Sequence, residues 1–208
     1  MPDLPLDQDQ LHAATTLLAD RDPDLAGIVA RLGPAPLWSR PPGFATLVAI
    51  ILEQQVSLAS GAAALERLRR AAGSLEPERI VALGEEGARA AGQTRQKARY
   101  VIELATATLD GRFDPATVAA ADDKAARSRL TALLGVGRWT ADIYLLMALG
   151  RPDIWPEGDL ALAAALRRAK ALPAIPDLVT QRAFAEAWRP WRAVAARLLW
   201  HAYLAGER

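Results

Sequence analysis

The stretch LTALLGVGRWTAD, residues 130–142, decides the fold because it describes two helices joined by a tight turn. An apolar helical run ends at Gly135-Val136-Gly137, and a second helix begins at Arg138. Glycine permits the positive φ and the close backbone approach that such a turn needs. The first amides of the second helix carry partial positive charge and suit a phosphate oxygen, whatever the base beside it. The stretch therefore predicts a hairpin that binds nucleic acid without reading its sequence.

The rest of the chain predicts an all-α fold. Nearly every segment shows helical periodicity and alanine-rich composition, with almost no β-branched alternation. Its 208 residues, 51% of them hydrophobic, suffice for one medium domain or two small lobes. The absence of cysteine excludes a disulfide framework, a thiolate zinc site and an iron–sulfur cluster. Two histidines are too few for most metal centres, so we expect chemistry without a transition metal.

Charge and composition divide the chain into three segments. Residues 1–42 carry a net charge of −3 and read as a proline-dotted N-terminal arm that packs on the second lobe. Residues 43–124, at −1, read as a helical lobe, and residues 125–208, at +5, contain the hairpin and a closing segment from Trp188 to Leu204. The basic excess supports a polyanionic partner only weakly. All but three of the 25 basic residues are arginine, which a GC-rich genome explains as well as phosphate binding does.

No stretch approaches eighteen uninterrupted apolar residues, and the N-terminus has neither a basic start nor an apolar signal core. We therefore expect a protein that is neither exported nor inserted in a membrane.

Asp159 admits two interpretations. It follows Pro-Glu-Gly and precedes an apolar helical run, so local rules alone place it at a helix N-cap. It also lies twenty residues after Trp139, a spacing at which a helix, a loop and a capped helix return the carboxylate to the mouth of the hairpin. A carboxylate beside a DNA sugar can stabilise positive charge at C1′ or orient a water molecule.

Together these motifs resemble the helix-hairpin-helix DNA glycosylase superfamily, and within it the 3-methyladenine DNA glycosylase II (AlkA-like) family. The resemblance extends from Phe44 to Leu204 and is to the compact form, which has no N-terminal β domain. It implies two helical lobes with the active-site cleft between them. The matching parts are residues 135–142, Asp159, the Trp188–Arg192 segment leading to Trp200, the glutamine-rich turn at residues 53–57, and the pattern from Gly92 to Ala98.

The resemblance implies a role for each matching residue at the catalytic end. Asp159 falls on the catalytic aspartate of the family. Trp139 stands where bifunctional members have a nucleophilic lysine, and tryptophan cannot form a Schiff base, so the chain is expected to be monofunctional. Trp139 and Trp200 would line a base pocket, with Ile143 and Tyr144 at neighbouring positions. Ordinary core packing remains the alternative for each tryptophan.

The resemblance also implies contacts with the DNA backbone and stack. Gln55, with Gln54 and Val56 beside it, would fill the space of a flipped base, although a cap or a buried structural role remains open for the glutamines. Backbone amides would hold a phosphate, and hairpin carbonyls would bind Na⁺ or K⁺ as the one cofactor. The phosphate positions are Gly135, Gly137 and Thr140, with Arg138 as a further DNA-binding residue, and the cation positions are Thr131, Leu133 and Val136.

The implied substrate is double-stranded DNA that contains alkylated purines. Alkylation makes a purine cationic, which weakens its glycosidic bond and strengthens its attraction to an indole face. We expect excision of 3-methyladenine or 7-methylguanine with an abasic site as product. We further expect a monomer in the bacterial cytoplasm, associated with the nucleoid.

Two residues depart from the family pattern and keep other functions open. Ile143 occupies a pocket position that is aromatic in larger members, and Glu53 places an acid near the presumed DNA face. A second hypothesis is thus a DNA-binding protein that kept the hairpin and lost catalysis, which predicts salt-sensitive binding without an abasic product. A third is a helical scaffold for a protein partner, which predicts no DNA binding.

Overall fold

The computed structural model describes residues 5–206. Within them twelve α-helices occur and no strand, which confirms the all-α fold class. The helices are α1 Gln8–Arg21, α2 Pro23–Leu32, α3 Phe44–Glu53, α4 Leu58–Ala72, α5 Pro77–Ala90, α6 Arg95–Leu109, α7 Pro115–Ala120, α8 Asp123–Thr131, α9 Arg138–Met147, α10 Leu160–Ala169, α11 Leu178–Glu186 and α12 Arg192–Leu204. None of these helices is long and apolar enough to cross a membrane.

The helix starts follow from local capping chemistry. Asp114, Asp122 and Thr94 precede α7, α8 and α6, and each side chain accepts a hydrogen bond from a backbone amide of the first turn. Such bonds satisfy amides that have no partner within the helix. Each of these three helix starts is therefore satisfied by the residue that precedes the helix.

The chain forms two compact units. The terminal unit contains the residues up to Ser39 and those from Leu149 onward, and the middle unit contains Arg40–Ala148. This differs from the three segments drawn from the sequence, because the hairpin lies in the middle unit rather than with the segment that carries Asp159. The physical reason is the apolar surface of α9, which is buried from Thr140 to Leu146 and packs against α3.

In the middle unit, α3 is buried at seven of its ten positions and packs on α4, α6 and α9. This run is apolar almost all round, so it fits only where neighbours cover every side. The C-terminal end of α3 therefore leads directly from the core into the glutamine-rich turn.

In the terminal unit, α12 is the central helix and packs on α1, α2, α10 and α11. It begins at Arg192, so the closing segment is not helical from Trp188. Trp188 is fully buried, and its indole Nε1 donates to Asp22 at 2.7 Å. Arg197 is also buried, donates to the carbonyls of Leu37 and Ala193, and has its pKa lowered to about 10 by desolvation.

Asp22 anchors a charged cluster in this core. Lys170 Nζ lies 2.8 and 2.7 Å from the two Asp22 oxygens and 2.9 Å from Asp24. Burial alone would raise the pKa of Asp22, but the hydrogen bonds from Lys170 and Trp188 outweigh it and hold the pKa below the ordinary 3.8. The pKa of Asp22 is lower in the folded protein than in the unfolded chain, so the cluster contributes its full stability at a pH above the unfolded value of 3.8. This contribution is lost as the pH falls through the lowered pKa of the folded protein.

We expect Lys170→Met to lower the free energy of unfolding at pH 7 by about 2–4 kcal/mol, because it leaves Asp22 charged and poorly compensated. Protonation of Asp22 removes that penalty, so the difference from the native protein should shrink in acid. Urea unfolding at neutral and acidic pH measures it, with the exposed Lys124→Met as control. A deficit independent of pH would contradict this account.

Candidate functional site

The hairpin has the predicted form in the middle unit. α8 ends at Thr131 and α9 begins at Arg138, and the Val136 amide donates to the Leu133 carbonyl within the turn. Gly135 has a φ of +82°, and Gly137 is the N-cap of α9 with no side-chain capping bond. No side chain of the cap therefore covers the first amides of α9, as a phosphate-binding helix start requires.

The ring of Tyr100, in α6, packs against the hairpin turn at Gly135. A Cβ at Gly135 would lie 2.3 Å from Tyr100 Cγ, closer than any real contact permits. Gly135 is thus required twice, by its positive φ and by the ring of Tyr100. The Tyr100 hydroxyl in turn accepts a hydrogen bond from Gln96.

An ion pair joins the two arms of the hairpin. Arg127 Nε of α8 lies 2.6 Å from Asp142 Oδ1 of α9, and Asp142 is fully buried. Arg138 Nε lies 3.7 Å from the other Asp142 oxygen while its side chain stays half exposed. Asp142 therefore fixes the arms and leaves the Arg138 side chain at the surface, where contact with DNA stays a prediction.

The glutamine-rich turn follows α3 in the same unit. Gln54 Nε2 donates to the Gly135 carbonyl at 2.9 Å and to Thr140 Oγ1 at 2.8 Å. These bonds favour the structural role that the sequence leaves open for Gln54. Gln55 has a φ of +57° and is exposed, as is Val56, so both remain suitable for insertion into a base stack.

Lys97 holds the backbone of this turn. Its Nζ donates to the carbonyls of Leu52 and Gln54 at 2.7 and 2.9 Å, and burial lowers its pKa. The carbonyls at the end of α3 carry partial negative charge, which a lysine compensates. The sequence pattern from Gly92 to Ala98 includes Lys97 but does not indicate these contacts.

Glu53 is neutralised by a neighbour. Arg40 Nη1 lies 3.0 Å from Glu53 Oε2, and both side chains are mostly buried. A Cβ at Gly61 would lie 2.7 Å from Glu53 Cγ, so glycine makes room for this carboxylate side chain. Because the charge of Arg40 compensates that of Glu53, Glu53 should repel a DNA backbone less than an isolated carboxylate would.

In the terminal unit Asp159 caps α10 and contacts a tryptophan. Its Oδ1 accepts a hydrogen bond from the Leu162 amide at 2.7 Å and from Trp200 Nε1 at 3.3 Å. Asp159 is partly exposed, and Trp200 is 8% exposed. The cap expected from the sequence is confirmed, and the carboxylate is held by the Leu162 amide and by the N–H edge of the Trp200 indole.

The other predicted pocket positions lie on α9 in the middle unit. Trp139 is partly exposed, which fits a stacking surface, whereas Ile143 is buried. Tyr144 is a correction, because it is fully buried, contacts Phe113 edge to face, and accepts a hydrogen bond from the Gly43 amide through its hydroxyl. A core position of this kind leaves no ring face for a base.

The hairpin carbonyls expected to bind a cation belong to Thr131, Leu133 and Val136. The Leu133 carbonyl already accepts one hydrogen bond, from Val136, and a carbonyl oxygen has a second lone pair. Uncharged carbonyls suit Na⁺ or K⁺ better than a transition metal. Across residues 5–206 no cluster of histidine or carboxylate side chains could hold a metal ion.

Sequence comparison places these elements in a known family. Residues 48–190, well over half of the chain, match the HhH-GPD superfamily of base excision DNA repair proteins. The chain belongs to this superfamily. The HhH-GPD match spans the glutamine-rich turn, the hairpin and Asp159.

Individual relatives refine the HhH-GPD assignment. DNA-3-methyladenine glycosylase 2 of Escherichia coli is 29% identical over 190 residues, covering 84% of this chain and 64% of the relative. The solved structure of the Schizosaccharomyces pombe 3-methyladenine DNA glycosylase Mag1 with abasic DNA has a TM-score of 0.84 and 27% identity, covering 90% of this chain and 95% of that one. A DNA-3-methyladenine glycosidase from Bacillus halodurans has a TM-score of 0.77 and 28% identity, covering 93% and 90%.

The chain spans less than two thirds of the length of the curated relatives it matches, 64% for the Escherichia coli protein. These similarities confirm the resemblance to 3-methyladenine DNA glycosylases of the HhH-GPD superfamily that the motifs indicate.

Proposed function

We propose that this protein is a monofunctional DNA glycosylase that excises alkylated purines from duplex DNA. The observation that carries the proposal is the Asp159 carboxylate, held by the Leu162 amide and Trp200 Nε1 in a chain similar to 3-methyladenine DNA glycosylases. As further parts of this proposal, the protein acts as a monomer in the bacterial cytoplasm.

Asp159 supplies the negative charge that the reaction needs. As the bond between C1′ and the base nitrogen breaks, its electron pair leaves with the base and the sugar becomes an oxocarbenium-like cation. The carboxylate stabilises that charge and orients a water molecule, whose oxygen bonds to C1′ as its proton is lost. The hydrogen bonds at Oδ1 fix the carboxylate in advance, so little reorganisation accompanies the reaction.

Trp139 and Trp200 provide stacking surfaces for an extruded purine. An alkylated purine carries positive charge, and attraction to an indole face is worth about 0.5–2 kcal/mol. Aromatic stacking of this kind selects a base by its charge and by the weakness of its glycosidic bond. It needs few hydrogen bonds to the base edge.

The middle unit supplies the contacts with the strand. The backbone amides of Gly135, Gly137 and Thr140 bind a phosphate, and Gln55 inserts into the stack in place of the flipped base. A Na⁺ or K⁺ ion on the hairpin carbonyls would add a positive charge facing that phosphate. The uncapped start of α9 and the exposed left-handed position of Gln55 support this assignment.

A labelled duplex with a single 7-methylguanine tests monofunctional excision. We expect the labelled strand to remain intact after incubation with the protein and to break at the lesion only after alkali treatment. The reason is that Trp139, at the lysine position, cannot form the Schiff base that β-elimination requires. Strand breakage before alkali treatment, together with a covalent protein–DNA complex trapped by borohydride, would contradict a monofunctional mechanism.

A further inference from the structure

We propose that Gln54 is a positioning residue that couples the stack-inserting turn to the phosphate-binding hairpin and thereby promotes base flipping. The coupling is a property of the middle unit alone, and its consequence for flipping rests on the proposed glycosylase function. Gln54 acts through Gln55 and the hairpin, without contacting the substrate.

The Gln54 side-chain amide bridges the hairpin turn and the first turn of α9. Its Nε2 donates a hydrogen bond to the Gly135 carbonyl, within the turn, at 2.9 Å and another to Thr140 Oγ1, in the first turn of α9, at 2.8 Å. Both amide hydrogens are thus used, on residues 81 and 86 positions away in the chain. This one side chain spans the amides that are proposed to hold the phosphate.

The backbone of Gln54 is fixed as well. Lys97 Nζ donates to the Gln54 carbonyl at 2.9 Å and to the Leu52 carbonyl at 2.7 Å. The backbone N–H of Gln54 donates to the Ile51 carbonyl. The next residue, Gln55, has a left-handed φ of +57° that ordinary residues seldom adopt unless their surroundings impose it. Gln54 is therefore held at both its main chain and its side chain, immediately before the exposed Gln55.

This geometry fixes the distance between two groups that must act on one strand. A phosphate bound by backbone amides and a side chain inserted in the stack cooperate only when their separation matches that of the distorted DNA. Without the bridge the hairpin amides remain, so binding of undamaged duplex is retained. The flipped state loses its support, so excision slows.

Gln54→Met tests the coupling because methionine keeps the length of the side chain and removes both donors. We expect single-turnover excision to slow by about 10- to 100-fold, with affinity for undamaged duplex within about twofold of native, because phosphate contacts dominate that affinity. The fluorescence of 2-aminopurine placed next to the lesion should show a smaller flipped fraction.

Gln93→Met is the matched control. Gln93 is a glutamine of the middle unit that is buried, whereas Gln54 is partly buried. The Nε2 of Gln93 donates to the Ala64 carbonyl at 2.9 Å, away from the turn and the hairpin. Both variants lose a partly buried hydrogen bond from the side chain to a main-chain carbonyl, but only the Gln54 variant should lose flipping. Equal losses in the two variants would reduce Gln54 to an ordinary stabilising residue and overturn the proposal.

Amide hydrogen exchange gives a readout that does not depend on activity. Gln54→Met should speed exchange in residues 134–140, and Gln93→Met should leave that segment unchanged. If Gln54→Met does not fold, Thr140→Val, which removes one acceptor at constant volume, should speed exchange in residues 54–57. Absence of these changes overturns the coupling. If the native protein excises no base while the exchange changes occur, the proposed function fails and the coupling stands.

Discussion

Replacing Asp159 by asparagine is expected to reduce base release by at least about 10²–10³-fold while leaving the protein folded. Asparagine presents an oxygen in the same place, so it still accepts from the Leu162 amide and caps α10. Asparagine and aspartate are nearly equal as N-caps, so the free energy of unfolding should change little. What disappears is the negative charge beside the developing oxocarbenium ion.

Asp177→Asn is the control for this experiment. Asp177 caps α11 in the same unit, and its Oδ1 accepts from the Thr180 amide at 2.8 Å, so the two variants make the same chemical change at two helix starts. Single-turnover excision and thermal unfolding should be measured for both. A similar loss of activity in both variants, or full activity in Asp159→Asn, would show that Asp159 is only a cap.

Gly135→Ala is expected to disrupt the hairpin more than any other single methyl addition in the turn. The new Cβ would lie 2.3 Å from Tyr100 Cγ. The alanine would also have to adopt the φ of +82° that glycine has at this position. The left-handed conformation alone costs about 1–2 kcal/mol. Displacement of the ring or of the turn adds to it, so we expect a clearly lower melting temperature and weaker binding to duplex DNA.

Gly111→Ala separates the two costs. Gly111 has a φ of +81°, and no atom lies within 4 Å of the position that a Cβ would take, so it carries the conformational cost without the collision. Thermal unfolding should therefore show a smaller loss for Gly111→Ala, and its DNA binding should match the native protein. An equal loss of thermal stability in Gly135→Ala and Gly111→Ala would mean that the collision with Tyr100 does not contribute to the destabilisation.

Much of the fold follows from local sequence. The caps Asp114, Asp122 and Asp159 and the glycine turn of the hairpin are encoded within a few residues each, because the first amides of a helix need an acceptor and a positive φ needs glycine. Such features depend on chain neighbours alone.

The remaining features depend on tertiary contacts. Gln54 reaches Gly135 across 81 residues, and Lys97 reaches the end of α3 across more than 40, which no local pattern specifies. Ile143 and Tyr144 are both buried because neighbouring helices cover α9, which the sequence of the helix does not specify. The assignment of the hairpin to the middle unit likewise depends on which apolar face α9 presents to α3.

The most direct test of the proposed function is the yield of free methylated purine from methylated duplex DNA, compared with the number of abasic sites formed. The native protein should release 3-methyladenine or 7-methylguanine and leave one abasic site for each base released. Release of no methylated base, or release without matching abasic sites, would contradict the assignment of this protein as a DNA glycosylase.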